Sequence, residues 1–335
     1  MTGISLRAKI STLKFNTAIS TNKSVGVNNS MMGFKLKSSW SIIVLIVIII
    51  NTTGCNSKNA IHYTWDIEKL NIIEAWKLSK GNNQIIAFID TGISSNCYQQ
   101  YIKRIIAPKN VLDNSENVVD QAGHGTEMIT AATGSGFDGI WGIAPEAQIM
   151  PIVAIGKDGY TSEEALTKGV NWAIKNGATI INLSVGSRTH EDNENLTKVI
   201  KLALKKNIIV VAAAGDYGES ELVFPASVPG VISVEAQAEN GQLLPQSNHS
   251  IKASIAAPGN KIPVLSIDSN GHTISSLSSG TSVSTSIVSG LIALALSKKP
   301  YLTPERLVKV LRDSIVENKF MDSNKLLTII SENDN

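Results

Sequence analysis

Three polar residues with complementary chemistry are widely separated in this sequence. Asp90 ends an apolar run and precedes Thr91-Gly92, His124 lies between two glycines, and Ser282 opens an apolar stretch typical of a buried helix. Acyl transfer needs these groups, since a hydroxyl attacks, an imidazole takes its proton and a carboxylate fixes the imidazole tautomer. Each residue alone has an ordinary explanation, as a turn aspartate or a helix cap. The hypothesis of a catalytic triad therefore depends on the three residues together.

The apolar runs predict the elements that position these residues. Short runs without alternation indicate buried parallel strands, because helices on both faces of a sheet leave it no polar face. The pattern predicts an α/β fold with a doubly wound, mostly parallel sheet and helices on both faces. Ligands of such sheets bind at the carboxyl ends of the strands, which is where Asp90 lies. The runs occupy residues 85–89, 148–154, 179–183, 208–214 and 231–236.

Helix signals lie between and after these runs. Thr161 and Glu164 form a capping-box pattern, and Thr303-Pro304 supplies a cap followed by a first-turn proline. An amphipathic pattern covers residues 193–206, and an apolar helix is predicted over 283–296. No repeat or linker interrupts this part of the chain, which predicts one domain over residues 65–335.

Three short segments carry a family resemblance. Asp90-Thr91-Gly92, His124-Gly125-Thr126 and Gly280-Thr281-Ser282 resemble the signature motifs of the subtilisin-like serine proteases and follow that family's order. The resemblance covers residues 65–316. It implies a subtilisin-like fold in which Ser282 attacks a peptide carbonyl, His124 acts as general base and then acid, and Asp90 orients His124. Further matching segments are residues 142–145, 181–186, 211–215, 224–226, 231–234 and 257–259.

The same resemblance assigns the residues that would hold the substrate. Ser184, Val185 and Gly186 would pair with an extended peptide through backbone hydrogen bonds, and Gly186 would allow a close approach. The oxyanion hole would consist of Ser282 and residue 216, where most relatives have an asparagine that donates to the oxyanion. This sequence has Asp216 at that position.

Asp216 is the most informative departure from the family. An ionised carboxylate only accepts hydrogen bonds, and its charge opposes the negative oxygen of the transition state, whereas a protonated carboxyl could donate. We therefore predict that Asp216→Asn raises turnover at neutral pH and that the native chain favours a lower pH. The acidic loop at residues 216–221 predicts arginine or lysine at the P1 position of the substrate.

Two further departures lie beside the motifs. Glu127 stands where the family usually has a second histidine, and Ser286 stands where it has a proline. A serine is tolerated in the first turns of a helix, where the proline supplies rigidity and no catalytic group. Both exchanges are expected to leave the proton path unchanged.

The first part of the chain predicts export. Residues 1–30 are expected to be a non-native or disordered extension, and residues 31–54 a lipoprotein-type signal peptide with nine apolar residues at 42–50. A spanning helix needs about 20 apolar residues. Cys55 is then the expected lipidation site and residues 55–64 a linker, which places the protein on the outer face of the cell membrane with a lipid anchor. The alternative is an uncleaved anchor with an unmodified Cys55.

Composition limits the remaining possibilities. The 335-residue chain is 43% hydrophobic, which suffices for a large core, and residues 1–54 hold six basic residues and no acidic ones. The remainder, with 24 basic and 28 acidic residues, is mildly acidic and has no electrostatic case for a nucleic-acid partner. Two cysteines, Cys55 and Cys97, exclude a disulfide-built fold and a cysteine-rich zinc site.

No cofactor is expected to be required, and no metal ligands are assigned. Residues 134–139 match a dinucleotide fingerprint as a string, but the strand and helix that such a site needs are not predicted around them. In the family this region is a calcium-binding loop. Here Asp138 is its only carboxylate, so calcium is possible but its usual loop is altered.

These patterns together predict a serine endopeptidase tethered outside the cytoplasmic membrane. Its partners would be a peptide or protein substrate and the membrane, its state a monomer, and its role the maturation of a secreted peptide such as a lantibiotic. The alternative, which Asp216 favours, is a catalytically impaired relative that binds peptides in the same groove.

Overall fold

The computed structural model describes residues 8–9, 63–188, 194–317 and 319–332. Contacts divide the chain into two units, and one of them, residues 14–62, lies outside the described residues. The expectations for the signal peptide, for lipidation at Cys55 and for most of the linker fall there and stay predictions. All elements below belong to the other unit.

Seven of the described strands form one parallel sheet. All the described strands, including those outside this sheet, are β1 (Ala8–Lys9), β2 (Ile85–Asp90), β3 (Lys109–Asn110), β4 (Gln148–Val153), β5 (Tyr160–Thr161), β6 (Ile180–Leu183), β7 (Ile209–Ala213), β8 (Ile232–Gln237), β9 (Ile255–Pro258), β10 (Ile262–Ile267) and β11 (Thr273–Ser278). The sheet order is β3-β4-β2-β6-β7-β8-β9, and each adjacent pair is parallel. Antiparallel pairs join β1 to β5 and β10 to β11. The five predicted runs are β2, β4, β6, β7 and β8.

Helices cover both faces of this sheet. They are α1 (Trp65–Lys69), α2 (Ile72–Ala75), α3 (Ser95–Gln100), α4 (His124–Thr133), α5 (Glu163–Lys175), α6 (Glu194–Lys205), α7 (Thr281–Lys298), α8 (Pro304–Asp313) and α9 (Ser323–Glu332), with 3₁₀ turns at Ile102–Arg104 and Phe137–Gly139. One core contains residues of α4 and α7, and a second contains residues of α5 and α6. The predicted doubly wound fold is confirmed.

The two cores follow from the geometry of the strands. Successive residues of a strand face opposite sides of the sheet. In β2, Ile86 and Phe88 pack into the core with α4 and α7, while Ala87 and Ile89 pack into the other core. Burying a side chain of the size of isoleucine contributes about 1.5–3 kcal/mol, so the apolar residues on the two faces of β2 stabilise both layers.

Two predicted helix starts have different outcomes. The capping pattern at Thr161 is wrong by one residue, because Ser162 Oγ accepts the hydrogen bond from Ala165 N and Thr161 Oγ1 donates to Ala154 O instead. The cap of α8 is confirmed, since Thr303 Oγ1 accepts from Arg306 N at 3.3 Å.

Helix α7 is the central helix of one face. It is apolar and long enough to cross a membrane, but 89% of it is buried inside the protein, which identifies it as a core helix. It packs against α4 and against β6, β7 and β8. Its first turn contacts the residues that follow β6 and β7, because Ser184 Oγ donates to Ser282 O and Gly215 N donates to Thr281 Oγ1.

Asp66 in α1 makes the stability of the fold depend on pH. Its side chain is 3% exposed, and Oδ1 has no hydrogen-bond partner among the described residues. Burial raises the pKa of Asp66 to about 6. The folded state therefore holds this proton more tightly than the unfolded state, and the free energy of unfolding falls as the pH rises from about 4 to about 6.

Asp66→Asn is expected to remove that dependence. Relative to the native chain, the free energy of unfolding of the variant rises by about 2–3 kcal/mol between pH 4 and pH 7.5, as urea titrations at both pH values will measure. Glu68→Gln, a change at an exposed position of the same helix, serves as the control with no such rise. An equal difference between Asp66→Asn and the native chain at both pH values would show that Asp66 is ionised in the fold throughout.

Candidate active site

Asp90 and His124 meet at the carboxyl-end edge of the sheet. Asp90 is the last residue of β2, and its Oδ1 lies 2.8 Å from His124 Nδ1. Because a carboxylate only accepts, Nδ1 donates this bond and Nε2 is left as the basic nitrogen of the neutral ring. Burial lowers the pKa of His124, but the charge and hydrogen bond of Asp90, together with the charges of Glu127 and Asp120, raise it above its usual value.

The loop before α4 fixes His124 at the first position of the helix. Gly123 has φ 92°, a left-handed conformation that favours glycine. Its N–H donates to Asp120 Oδ1 at 2.8 Å, so a carboxylate satisfies the helix start. A Cβ on Gly125 would lie 2.3 Å from the carbonyl oxygen of Gly92, which explains the second glycine beside the histidine.

Ser282 lies in the first turn of α7. Its Oγ donates to Ser184 O at 3.1 Å. His124 Nε2 is buried and has no hydrogen-bond partner among the described residues. The structure thus joins Asp90 to His124 and leaves the serine hydroxyl on the carbonyl of residue 184. A bond from Ser282 to His124 would require the hydroxyl to leave Ser184 O, and catalytic hydrogen bonds often form only with substrate bound.

Ser184, Val185 and Gly186 follow β6 and line an open cleft beside Ser282. A Cβ on Gly186 would lie 2.3 Å from Val223 Cγ2, so packing inside the protein already demands a glycine there. The cleft is lined by Ser184, Val185, Gly186, Ala213, Gly215, Asp216, Tyr217, Thr281 and Ser282.

Asp216 occupies the amino end of α7. Its Oδ1 accepts from Thr281 N at 2.8 Å, and its Oδ2 accepts from Thr281 Oγ1 at 3.1 Å. A Cβ on Gly280 would lie 2.8 Å from Oδ2, so the carboxylate and Gly280 fit together. A helix amino end attracts a negative group through its N–H donors and its dipole.

In this position Asp216 accepts hydrogen bonds, whereas only its protonated form could donate to an oxyanion. Both carboxylate oxygens act as acceptors, because Thr281 offers two donors where the helix starts. The other expected member of the hole is Ser282, whose N–H is among the first-turn groups that α7 itself does not satisfy. The assignment of the hole to these two residues stays a prediction.

Two further acidic residues lie near His124 and were not predicted to act there. Asp120 satisfies the amino end of α4, and Glu127 is buried one turn after the histidine. Asp120 lies three residues before Gly123, which holds the cap position of α4, so the usual cap signal does not mark it in the sequence. Glu127 carries no such local signal, because its partners are remote in sequence.

Within the described residues, no group of three or more histidine, cysteine, aspartate or glutamate side chains could hold a metal ion. The altered loop at residues 134–139 folds into a 3₁₀ turn that contains Asp138. Calcium binding at this altered loop stays a prediction.

Comparisons with known proteins identify the family of this chain. The sequence profile of the subtilase family matches residues 81–328. The chain is 32% identical over 257 residues to the minor extracellular protease Epr of Bacillus subtilis, covering 76% of this chain and 38% of Epr. It is 31% identical to thermitase of Thermoactinomyces vulgaris, covering 69% of this chain and 81% of thermitase. It spans 64% of a thermostable alkaline protease of Halalkalibacterium halodurans at 32% identity, with 71% of this chain covered.

A solved structure has the same fold. A cold-adapted subtilisin-like serine proteinase superposes with a TM-score of 0.64 at 25% identity, covering 73% of this chain and 86% of that protein. The profile match covers well over half of the chain, and the matched residues contain Asp90, His124 and Ser282 in one fold. The chain therefore belongs to the subtilase family.

Proposed function

We propose that this chain is a serine endopeptidase whose nucleophile is Ser282. The observation that carries the proposal is the 2.8 Å hydrogen bond between Asp90 and His124, at the sheet edge where ligands of such folds bind. Ser282 lies there on the first turn of a buried helix, beside an open cleft.

The reaction follows from the chemistry of these groups. A peptide pairs with residues 184–186, and its backbone N–H can take over Ser184 O, which releases the Ser282 hydroxyl toward His124 Nε2. His124 accepts the proton as Ser282 Oγ attacks the carbonyl carbon, and the N–H of Ser282 stabilises the oxyanion. His124 then protonates the leaving amine. In the second half of the reaction, His124 takes a proton from water as the water oxygen attacks the acyl carbon. His124 then gives that proton to Ser282 Oγ as the acyl group leaves.

Cleavage of a peptide library by the purified full chain tests this function. The native chain is expected to hydrolyse peptides, Ser282→Ala to lose the cleavage, and the exposed-site control Ser275→Ala to retain it. Cleavage that survives Ser282→Ala would assign the activity to another group or to a contaminant.

The same library tests a preference for lysine or arginine at P1. Asp216 lines the cleft, whereas Glu219 pairs with Arg188. We expect Asp216→Asn to reduce the kcat/KM ratio of basic to apolar P1 residues by about tenfold, because it removes the negative charge in the cleft. Glu219→Gln is the matched control with a smaller effect. A native preference for large apolar P1 residues would contradict the prediction.

Asp216 also supports a second candidate function, peptide binding without hydrolysis. A carboxylate beside the developing oxyanion opposes catalysis but leaves the cleft intact. A silent relative would bind library peptides and release them uncut. The amount of bound peptide would be the same for the native chain and for Ser282→Ala.

We further propose that the enzyme is held on the outer face of the cell membrane through a lipid on Cys55, and that it matures a secreted peptide such as a lantibiotic. The support is the apolar run at 42–50 before Gly54-Cys55 and the short segment between Cys55 and Trp65. Labelled palmitate should enter the native chain and not Cys55→Ala. Release of the native protein without lipid would refute the anchor.

A further inference from the structure

Glu127 is a buried carboxylate that the reaction above does not use. It lies on α4 one turn after His124 and is 7% exposed. Its Oε1 accepts from Ser266 Oγ at 2.8 Å, and its Oε2 accepts from Ser278 Oγ at 2.9 Å. A buried carboxylate is costly unless donors satisfy it, so the two serines help to hold the side chain in this place.

The two serines connect α4 to the hairpin that leads into the nucleophile. Ser266 lies on β10, and Ser278 ends β11 four residues before Ser282. Thr130, on the next turn of α4, adds a third connection, because its Oγ1 accepts from Leu265 N at 3.0 Å. The helix that starts with His124 is thus joined to the segment that ends in Ser282.

Glu127 also acts on His124 through its charge. Three carboxylates act on the charge of the His124 ring, and they belong to Asp90, Asp120 and Glu127. Burial lowers the pKa of His124, and the three carboxylates raise it, with Asp90 the strongest of them. Burial raises the pKa of Glu127, and the charge of His124 and the hydrogen bonds from Ser266 and Ser278 offset only part of this rise. An ionised Glu127 therefore favours the imidazolium that forms when His124 takes the serine proton.

We propose that Glu127 is a positioning residue for the peptidase reaction. It links α4 to the β10–β11 hairpin that precedes Ser282, and it stabilises the protonated ring of His124. The assignment rests on the proposed function. From the sequence alone, the proton path is expected to be the same with Glu127 as with the histidine usual in the family. The proposed role of Glu127 replaces that expectation.

The pH dependence of kcat/KM in the full chain tests the charge. Glu127→Gln keeps the length of the side chain and can still hydrogen bond to both serines, but it carries no charge. The acid limb of the profile is expected to move to lower pH by roughly 0.5 to 1 unit, and kcat to fall by roughly tenfold. The control Glu74→Gln, on an exposed part of α2, should leave both unchanged.

Ser278→Ala tests the link between α4 and the hairpin separately, because it keeps the charge of Glu127 and removes one of its hydrogen bonds. We expect kcat to fall roughly threefold to tenfold with the acid limb in place. A Glu127→Gln enzyme with the native kcat and acid limb overturns the proposal. If that variant does not fold, an unchanged kcat in Ser278→Ala overturns it. Absence of Ser282-dependent cleavage in the native chain overturns the proposed function itself, whereas native cleavage with an unaltered Glu127→Gln profile overturns only the role of Glu127.

Discussion

Asp90→Asn is expected to lower kcat by about 10⁴-fold while KM changes little. The 2.8 Å bond from His124 Nδ1 to Asp90 Oδ1 places the ring hydrogen on Nδ1 and leaves Nε2 free to take the serine proton. An asparagine amide can donate to Nδ1, which moves the ring hydrogen to Nε2 and blocks that step. Steady-state kinetics on a cleaved library peptide measure the loss.

The matched control is Asp313→Asn, the same chemical change on α8, where the aspartate pairs with Lys309. It should retain the native kcat. A loss of less than tenfold in Asp90→Asn would mean that the tautomer of His124 is set by another group, and the assigned role of Asp90 would then be wrong.

The second large effect is an increase in kcat. Asp216→Asn is expected to raise kcat at pH 7 to 8 by about 10- to 100-fold, because it removes a negative charge beside the oxyanion and supplies an amide donor. Loss of such a donor costs about 10² to 10³ in a related enzyme. The amide oxygen can still accept from Thr281 N, the bond that Asp216 Oδ1 accepts at 2.8 Å, so the start of α7 is preserved.

Asp216→Ala separates the two contributions, because it removes the charge without adding a donor. Its kcat should lie between those of the native chain and Asp216→Asn. Equal rates for the native chain and Asp216→Asn from pH 5 to 8 would contradict an unfavourable charge at this site. They would also remove the reason to consider a silent relative.

The parallel sheet could be predicted because its signal is local. Strands buried on both faces are apolar along almost their whole length, as β7 is throughout and β2 is up to Ile89, and their ends differ from the predicted runs by one residue. The β10–β11 hairpin was not predicted. In β11 the residues Thr-Ile-Ser-Ser-Leu-Ser are mostly exposed or half-buried, so polar residues interrupt the apolar pattern.

The side-chain contacts of the site were less predictable because they join remote segments. The motifs identify Asp90, His124 and Ser282, but the carboxylate of Asp216 meets Thr281, 65 residues later. Glu127 meets Ser278 across 151 residues. Only the packing of α4, α7 and the hairpin determines those pairs, so the acceptor role of Asp216 and the hydrogen bonds of Glu127 required the fold.

The most direct test of the nucleophile is covalent labelling with a fluorophosphonate, followed by mass mapping of the labelled peptide. Serine oxygen displaces fluoride from phosphorus, so only an activated hydroxyl reacts. We predict one adduct per chain on Ser282, none in Ser282→Ala and slow labelling in Asp90→Asn. An unlabelled native chain, or a label that persists in Ser282→Ala, would contradict the assignment of Ser282 as the nucleophile.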